Sequence, residues 1–119
     1  MNSKDFKSGD ILRATHRDLR KGYHPIIYVS DYSDTDFIGA MLTHHENSAL
    51  NVKMDSTYFV NKLGFEKTYL VIGKFMKSEE WGPFIKVNQL TPQGLSFVNT
   101  TINEKPLETF ANYFRRNVK

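Results

Sequence analysis

Short apolar blocks separated by polar turns run from Gly9 to Leu90, and a helical spacing of apolar residues replaces them afterwards. Residues 9 to 14 (Gly-Asp-Ile-Leu-Arg-Ala) read as a first strand after a polar leader. Pro25 to Ser30 read as a second, because proline is tolerated at a strand's first position and β-branched residues follow. Asp31-Tyr32-Ser33-Asp34-Thr35-Asp36 is a turn, since Asp and Ser side chains bond their own backbone. Phe37 to His44 carries apolar residues on both alternating faces, which predicts a central strand or one in a closed barrel. Residues 51 to 54 add a short strand, and 55 to 67 show no clear period. Thr68 to Met76 reads as one strand with a bend at Gly73.

Ser78 to Pro83 then turns the chain, and Phe84 to Leu90 returns it as an alternating strand. Thr91-Pro92 starts a helix, with threonine as the cap and proline at the first helical position, where its missing donor is not needed. Leu95, Val98 and Ile102 share one face of it. A last helix is predicted to start near Pro106 and to turn Leu107, Phe110, Ala111 and Phe114 toward the core. Strands first and helices last predict a mostly β (β+α) domain: a small, strongly bent sheet or barrel of five or more strands with C-terminal helices.

Composition narrows the class. At 119 residues the chain has room for a single core, so one domain over 1–119 is expected. A mean hydropathy of -0.48 and the lack of any apolar run of membrane-spanning length argue against a membrane protein. The first residues, Met1-Asn2-Ser3-Lys4-Asp5, carry no apolar stretch, so no signal peptide is expected. The absence of cysteine excludes disulfides and thiolate zinc sites and fits a cytoplasmic location. A net charge of +3 is mildly basic and only weakly favours a nucleic-acid partner. Arg17, Arg20 and Lys21 cluster in one loop; such clusters are more often solvated surface than binding sites. Arg115 and Arg116 near the chain's end are explained by the helix macrodipole. Neither GxGxxG nor a P-loop is present.

All four histidines (His16, His24, His44, His45) fall between positions 16 and 45. Three chemistries compete for them. Metal binding is disfavoured: His44 and His45 are adjacent on a strand and point to opposite faces, and no carboxylate cluster completes a ligand set. Acid-base catalysis is open to an imidazole at neutral pH, and RNA cleavage needs only a base, an acid and a donor for the phosphorane. The third alternative is a set of strand-edge histidines bonded to backbone in a protein that only binds. For any one histidine alone that is the commoner outcome. If the strands holding His24 and Thr43-His44 pair antiparallel, their ends can meet on one edge beside the basic loop.

Gly9-Asp10-Ile11, then Gly22-Tyr23-His24-Pro25-Ile26-Ile27-Tyr28-Val29-Ser30, then a strand ending in Thr43, resembles the PemK/MazF family of toxin-antitoxin endoribonucleases. The resemblance covers residues 9 to 46, with a weaker echo in Ile85 to Pro92. It implies an SH3-like barrel with a C-terminal helix, a dimer, a cognate antitoxin, and metal-free cleavage of single-stranded RNA without a cofactor. The family pairs an arginine before the proline with the strand-end threonine. Thr43 matches the threonine, and His24 stands in the arginine's place.

On that basis His24 is expected to act as general base or phosphate donor and Thr43 to bond the scissile phosphate. His16 or His44 would be the acid, while Arg17, Arg20, Lys21 and Tyr23 would hold RNA. The alternative is a non-catalytic protein- or nucleic-acid-binding module of immunity or antitoxin type on the same barrel. Trp81 is open to base stacking or to packing.

Overall fold

Alternation in the first ninety residues does produce strands, and they join into one curled sheet. Their order along the chain is β1 (Asp10–His16), β2 (Tyr23–Asp31), β3 (Phe37–Thr43), β4 (Asn51–Met54), β5 (Thr68–Val71), β6 (Lys74–Lys77) and β7 (Trp81–Gln89). Helix α1 (Pro92–Ile102), the short β8 (Leu107–Glu108) and helix α2 (Phe110–Asn117) follow. The computed structural model describes residues 6–16, 23–33, 36–44, 46, 49–77 and 81–117, without the side chains of 16, 23, 24, 76, 77, 81, 110, 111, 114 and 117. The domain is mostly β.

Neighbours in the sheet run β4-β5-β3-β2-β1-β7, all antiparallel, while β6 pairs the first half of β3 and β8 pairs β6 in parallel. The two ends of this path come together. After β4 a 3-10 turn, Ser56–Tyr58, delivers Phe59 to a bridge with Leu90 just beyond β7. Val60 N donates to Gln89 O and Thr91 N to Tyr58 O on either side of that bridge, both at 2.8 Å.

Asn88 secures the closure. Its buried amide accepts from Asn61 N (3.0 Å) and donates to Asn61 O (2.7 Å), taking the part a neighbouring strand would take. Replacing Asn88 with alanine is therefore expected to cost about 1–3 kcal/mol by stranding these groups. Urea unfolding and faster amide exchange at Asn61 would register the loss; unchanged exchange there would show that the loop holds without it.

The family-like Gly9-Asp10-Ile11 segment has a structural explanation. Gly9 has φ +96, which a residue with a Cβ adopts only with strain, and it docks β1 on two neighbours at once. Its N–H donates to Tyr28 O, and its carbonyl accepts from Leu90 N, each at 2.8 Å. Asp10, 4 % exposed, accepts from Lys7 N at 2.9 Å and pairs with Lys86 Nζ at 3.0 Å. Ile11 is fully buried.

Both faces of the central strands are covered, as the doubly apolar pattern of β3 requires. On one face Leu12, Ile26, Tyr28, Phe37 and Met41 pack with Phe75, Phe84 and Tyr113 of α2. On the other, Ile11, Ile27, Ala40 and Leu42 pack with Phe59, Leu90 and α1 residues Val98 and Ile102. Helix α1 starts as its sequence predicts: Thr91 caps it, its hydroxyl accepting from Gly94 N at 3.2 Å, with Pro92 in the first turn.

Three expectations need correction. Residues 68–76 form two strands instead of one, because the chain turns at Ile72–Gly73; β5 pairs the end of β3 and β4, and β6 pairs the start of β3. Trp81, Gly82 and Pro83 belong to β7 and pair toward Thr15 and His16, instead of forming a turn. The register shift between Arg13 and Thr15 places Pro83 at an irregular rung, where its missing N–H breaks no regular ladder bond. The last helix begins at Phe110, and Leu107 lies on β8. Its described core residue is Tyr113, 8 % exposed; the side chains of Phe110, Ala111 and Phe114 lie outside the described residues.

Candidate functional site

The end of β1, the start of β2, the end of β3 and the starts of β5 and β7 all fall at one end of the sheet. Register decides which residues meet there. Strands β2 and β3 pair antiparallel with Ile26 opposite Met41, so two residues further on His24 and Thr43 occupy the same end of neighbouring strands. In the β1 ladder His24 lies opposite Ala14 and Tyr23 opposite Thr15, and His16 lies opposite Trp81 of β7. The backbones of His16, Tyr23, His24 and Trp81 are thus placed, while their side chains lie outside the described residues. Arg17, Arg20, Lys21 and His45 lie outside them altogether.

The described half of this end is built on β3 and β5. Thr43, half-buried, closes β3 opposite Tyr69. The next residue, His44, is exposed, with Nδ1 3.0 Å from Lys67 O. A carbonyl only accepts, so Nδ1–H is the donor in that contact and Nε2 is the nitrogen left to exchange a proton. Tyr69 donates its phenol to Glu46 Oε2 at 3.3 Å. Loss of hydration at Tyr69, then the negative charge of Glu46 and the bond to it, push the phenol above its ordinary pKa. It stays protonated and remains a donor. Glu46, itself exposed, is thereby tied to the start of β5.

The arrangement offers a hydroxyl (Thr43), an imidazole (His44) and a phenol held as a donor (Tyr69), at the end of the sheet where β2 also starts, with His24 its second residue. These are groups that move protons and bond phosphate oxygens. Among the described residues no group of three His, Cys, Asp or Glu is placed to hold a metal ion. No helix among them is long and apolar enough to cross a membrane. The acidic turn lies at the opposite end of β2 and β3. There Tyr32 N and Ser33 N donate to Asp36 O, and Asp31 accepts from the Tyr28 phenol.

Sequence reasoning missed Tyr69 and the α2 residues beside this end. Tyr69 carried a usable signal, being one step from Thr68 at the start of a predicted strand. Arg116 did not. Read as a macrodipole cation, it makes a two-pronged contact with Glu108, Nη1 to Oε1 at 2.7 Å and Nη2 to Oε2 at 2.9 Å, and lies 5.7 Å from the Tyr113 ring centroid. The bonds and charge of Glu108 raise the guanidinium's pKa further. Burial raises that of Tyr113, against the opposing charge of Arg116. No family model, curated protein or solved structure matches the chain.

Proposed function

We propose that this protein is a metal-independent endoribonuclease acting on single-stranded RNA, with its centre at the strand ends of His24, Thr43 and His44. The observation that carries the reading is the β2–β3 register, which brings a histidine and a threonine far apart in the chain to one end of adjacent strands. His24 takes the 2′-hydroxyl proton or bonds the phosphate, Thr43 donates to the scissile phosphate, and His44 or His16 protonates the leaving 5′-oxygen. Arg17, Arg20, Lys21 and Tyr23 hold the flanking RNA. The resemblance to PemK/MazF toxins supports the same chemistry, with a cognate antitoxin as partner, a homodimer as assembly and the cytoplasm as location.

The test is incubation of purified protein with mixed-sequence single-stranded RNA in EDTA, beside His24→Ala and Thr43→Ala. Cleavage by the wild type is expected to survive EDTA and to fall by about a hundredfold or more in either variant, the scale of a lost proton-transfer group. Cleavage at the wild-type rate by His24→Ala would sink the assignment.

One observation favours a second reading, a non-catalytic protein-binding module. Val60, Leu63, Ile85 and Val87 are exposed apolar side chains on and beside β7, and exposed apolar residues on an outer strand suit association with another chain. Absence of cleavage across about pH 5.5–8, the range in which a histidine titrates, together with binding abolished by Val87→Lys, would establish it.

A further inference from the structure

Beyond Thr43 the surface does not close. Two cavities adjoin, with Leu50 and Tyr113 as walls of both. The first, ≈ 140 Å³, begins at Thr43 and is bounded by Met41, Leu42, Asn51 and Val71. The second, ≈ 260 Å³, continues past Ile72 and Gly73 to Lys105, Glu108 and Arg116. The chemistry changes from one cavity to the other. Apolar walls dominate near Thr43, with a hydroxyl and the Asn51 amide, a group that both donates and accepts. Cationic heads appear at the far end. Lys105 is exposed, and Arg116 keeps 60 % of its side chain exposed although Glu108 occupies two of its nitrogens.

We propose that the two cavities act as one groove carrying the nucleotide adjoining the scissile bond, its base in the cavity beside Thr43 and its next phosphate between Lys105 and Arg116. The assignment rests on the nuclease reading for its origin, since Thr43 marks where the scissile phosphate sits. An apolar slot with a donor-acceptor group suits a nucleobase, which has apolar faces and a hydrogen-bonding edge. A cationic stretch beyond it suits the backbone. Glu108 then has a definite role: it competes with the phosphate for Arg116 and moderates affinity. A groove serving only as a packing defect would give no such dependence on charge.

Opposite signs in two variants test this. Binding is measured by anisotropy of a fluorescein-labelled, mixed-sequence 2′-O-methyl single strand, which cannot be cut, across a salt series; cleavage is measured separately on ordinary RNA in EDTA. Lys105→Glu is expected to weaken binding about tenfold and to lower the salt slope by about 0.7, the effect of one phosphate contact on a single strand. Glu108→Gln is expected to tighten binding severalfold, and Leu50→Trp to change the base preferred beside the cut. Cleavage by the wild type with unaltered binding in Lys105→Glu and Glu108→Gln would overturn the groove and leave the nuclease standing. Binding that shifts as expected without cleavage would overturn the nuclease, and with it the place of the groove beside a scissile bond, leaving the groove as an RNA-binding site only. Binding of an acidic peptide with the same two shifts, and none of the RNA strand, would overturn the assignment in favour of a protein partner.

Discussion

Truncating Phe37 to alanine is expected to destabilise the fold by about 3–5 kcal/mol, the range for deleting a fully buried aromatic ring. Phe37 is 1 % exposed and sits at the first rung of β3, where β2 and β6 both attach, opposite Asp31 and Lys77. Its ring stacks on Tyr28 at 4.5 Å between centroids and meets Phe84 edge-on at 5.2 Å. Removing it takes away apolar burial and two ring contacts, and leaves a void among strands that cannot all move inward. For a domain whose whole stability is of the order of 5–15 kcal/mol, that is a large share. Urea unfolding of Phe37→Ala beside Phe37→Leu checks it. A midpoint for the alanine variant near the wild type would show that the site collapses and that the ring is not a keystone.

Gly94→Ala is expected to destabilise the protein by about 2–3 kcal/mol, against the usual direction for this substitution in a helix. Alanine ordinarily stabilises a helix interior by roughly 0.5–1 kcal/mol over glycine. Here a Cβ at Gly94 would stand 2.5 Å from Tyr58 O and 2.8 Å from Tyr58 Cβ. The obstacle cannot swing aside. Tyr58 O accepts from Thr91 N, Tyr58 N donates to Asp55 O, and the Tyr58 ring packs 5.0 Å from that of Phe97. The clash exceeds the propensity gain because relieving it means moving the 3-10 turn that closes the sheet. Thermal unfolding of Gly94→Ala is the check, with Gly64→Ala as a control where nothing lies within 4 Å and only the positive φ opposes the change. A stabilised Gly94→Ala protein would mean that α1 shifts freely on the sheet.

Much of this fold is legible in the sequence. The Thr91-Pro92 start of α1 is a local event: one hydroxyl, one ring and one turn of backbone decide it, so residue type is enough. The double-sided apolar pattern of Phe37 to His44 announced a strand covered on both faces; the structure ends it at Thr43 and places it between β2 and β5. Gly9, Asp10 and Ile11 were visible as a motif, though not as a clamp joining three strands. Thr43 and His44 were found by position at a strand end. That His24 is their neighbour followed only once β2 and β3 were known to pair antiparallel.

By itself, then, the sequence determined the mostly β class, the start of the first helix and the confinement of every histidine to positions 16–45. The first two depend on side-chain alternation or on contacts within a few residues. Tertiary structure alone decided the division of 68–77 into β5 and β6, because a period of two continues unchanged across a corner and carries no sign of where partners change. It also decided the closure through Asn88 and Asn61, and the pairing of Arg116 with Glu108 instead of solvent. Those contacts join residues whose separation along the chain obeys no period, and packing the two cores is what brings them together.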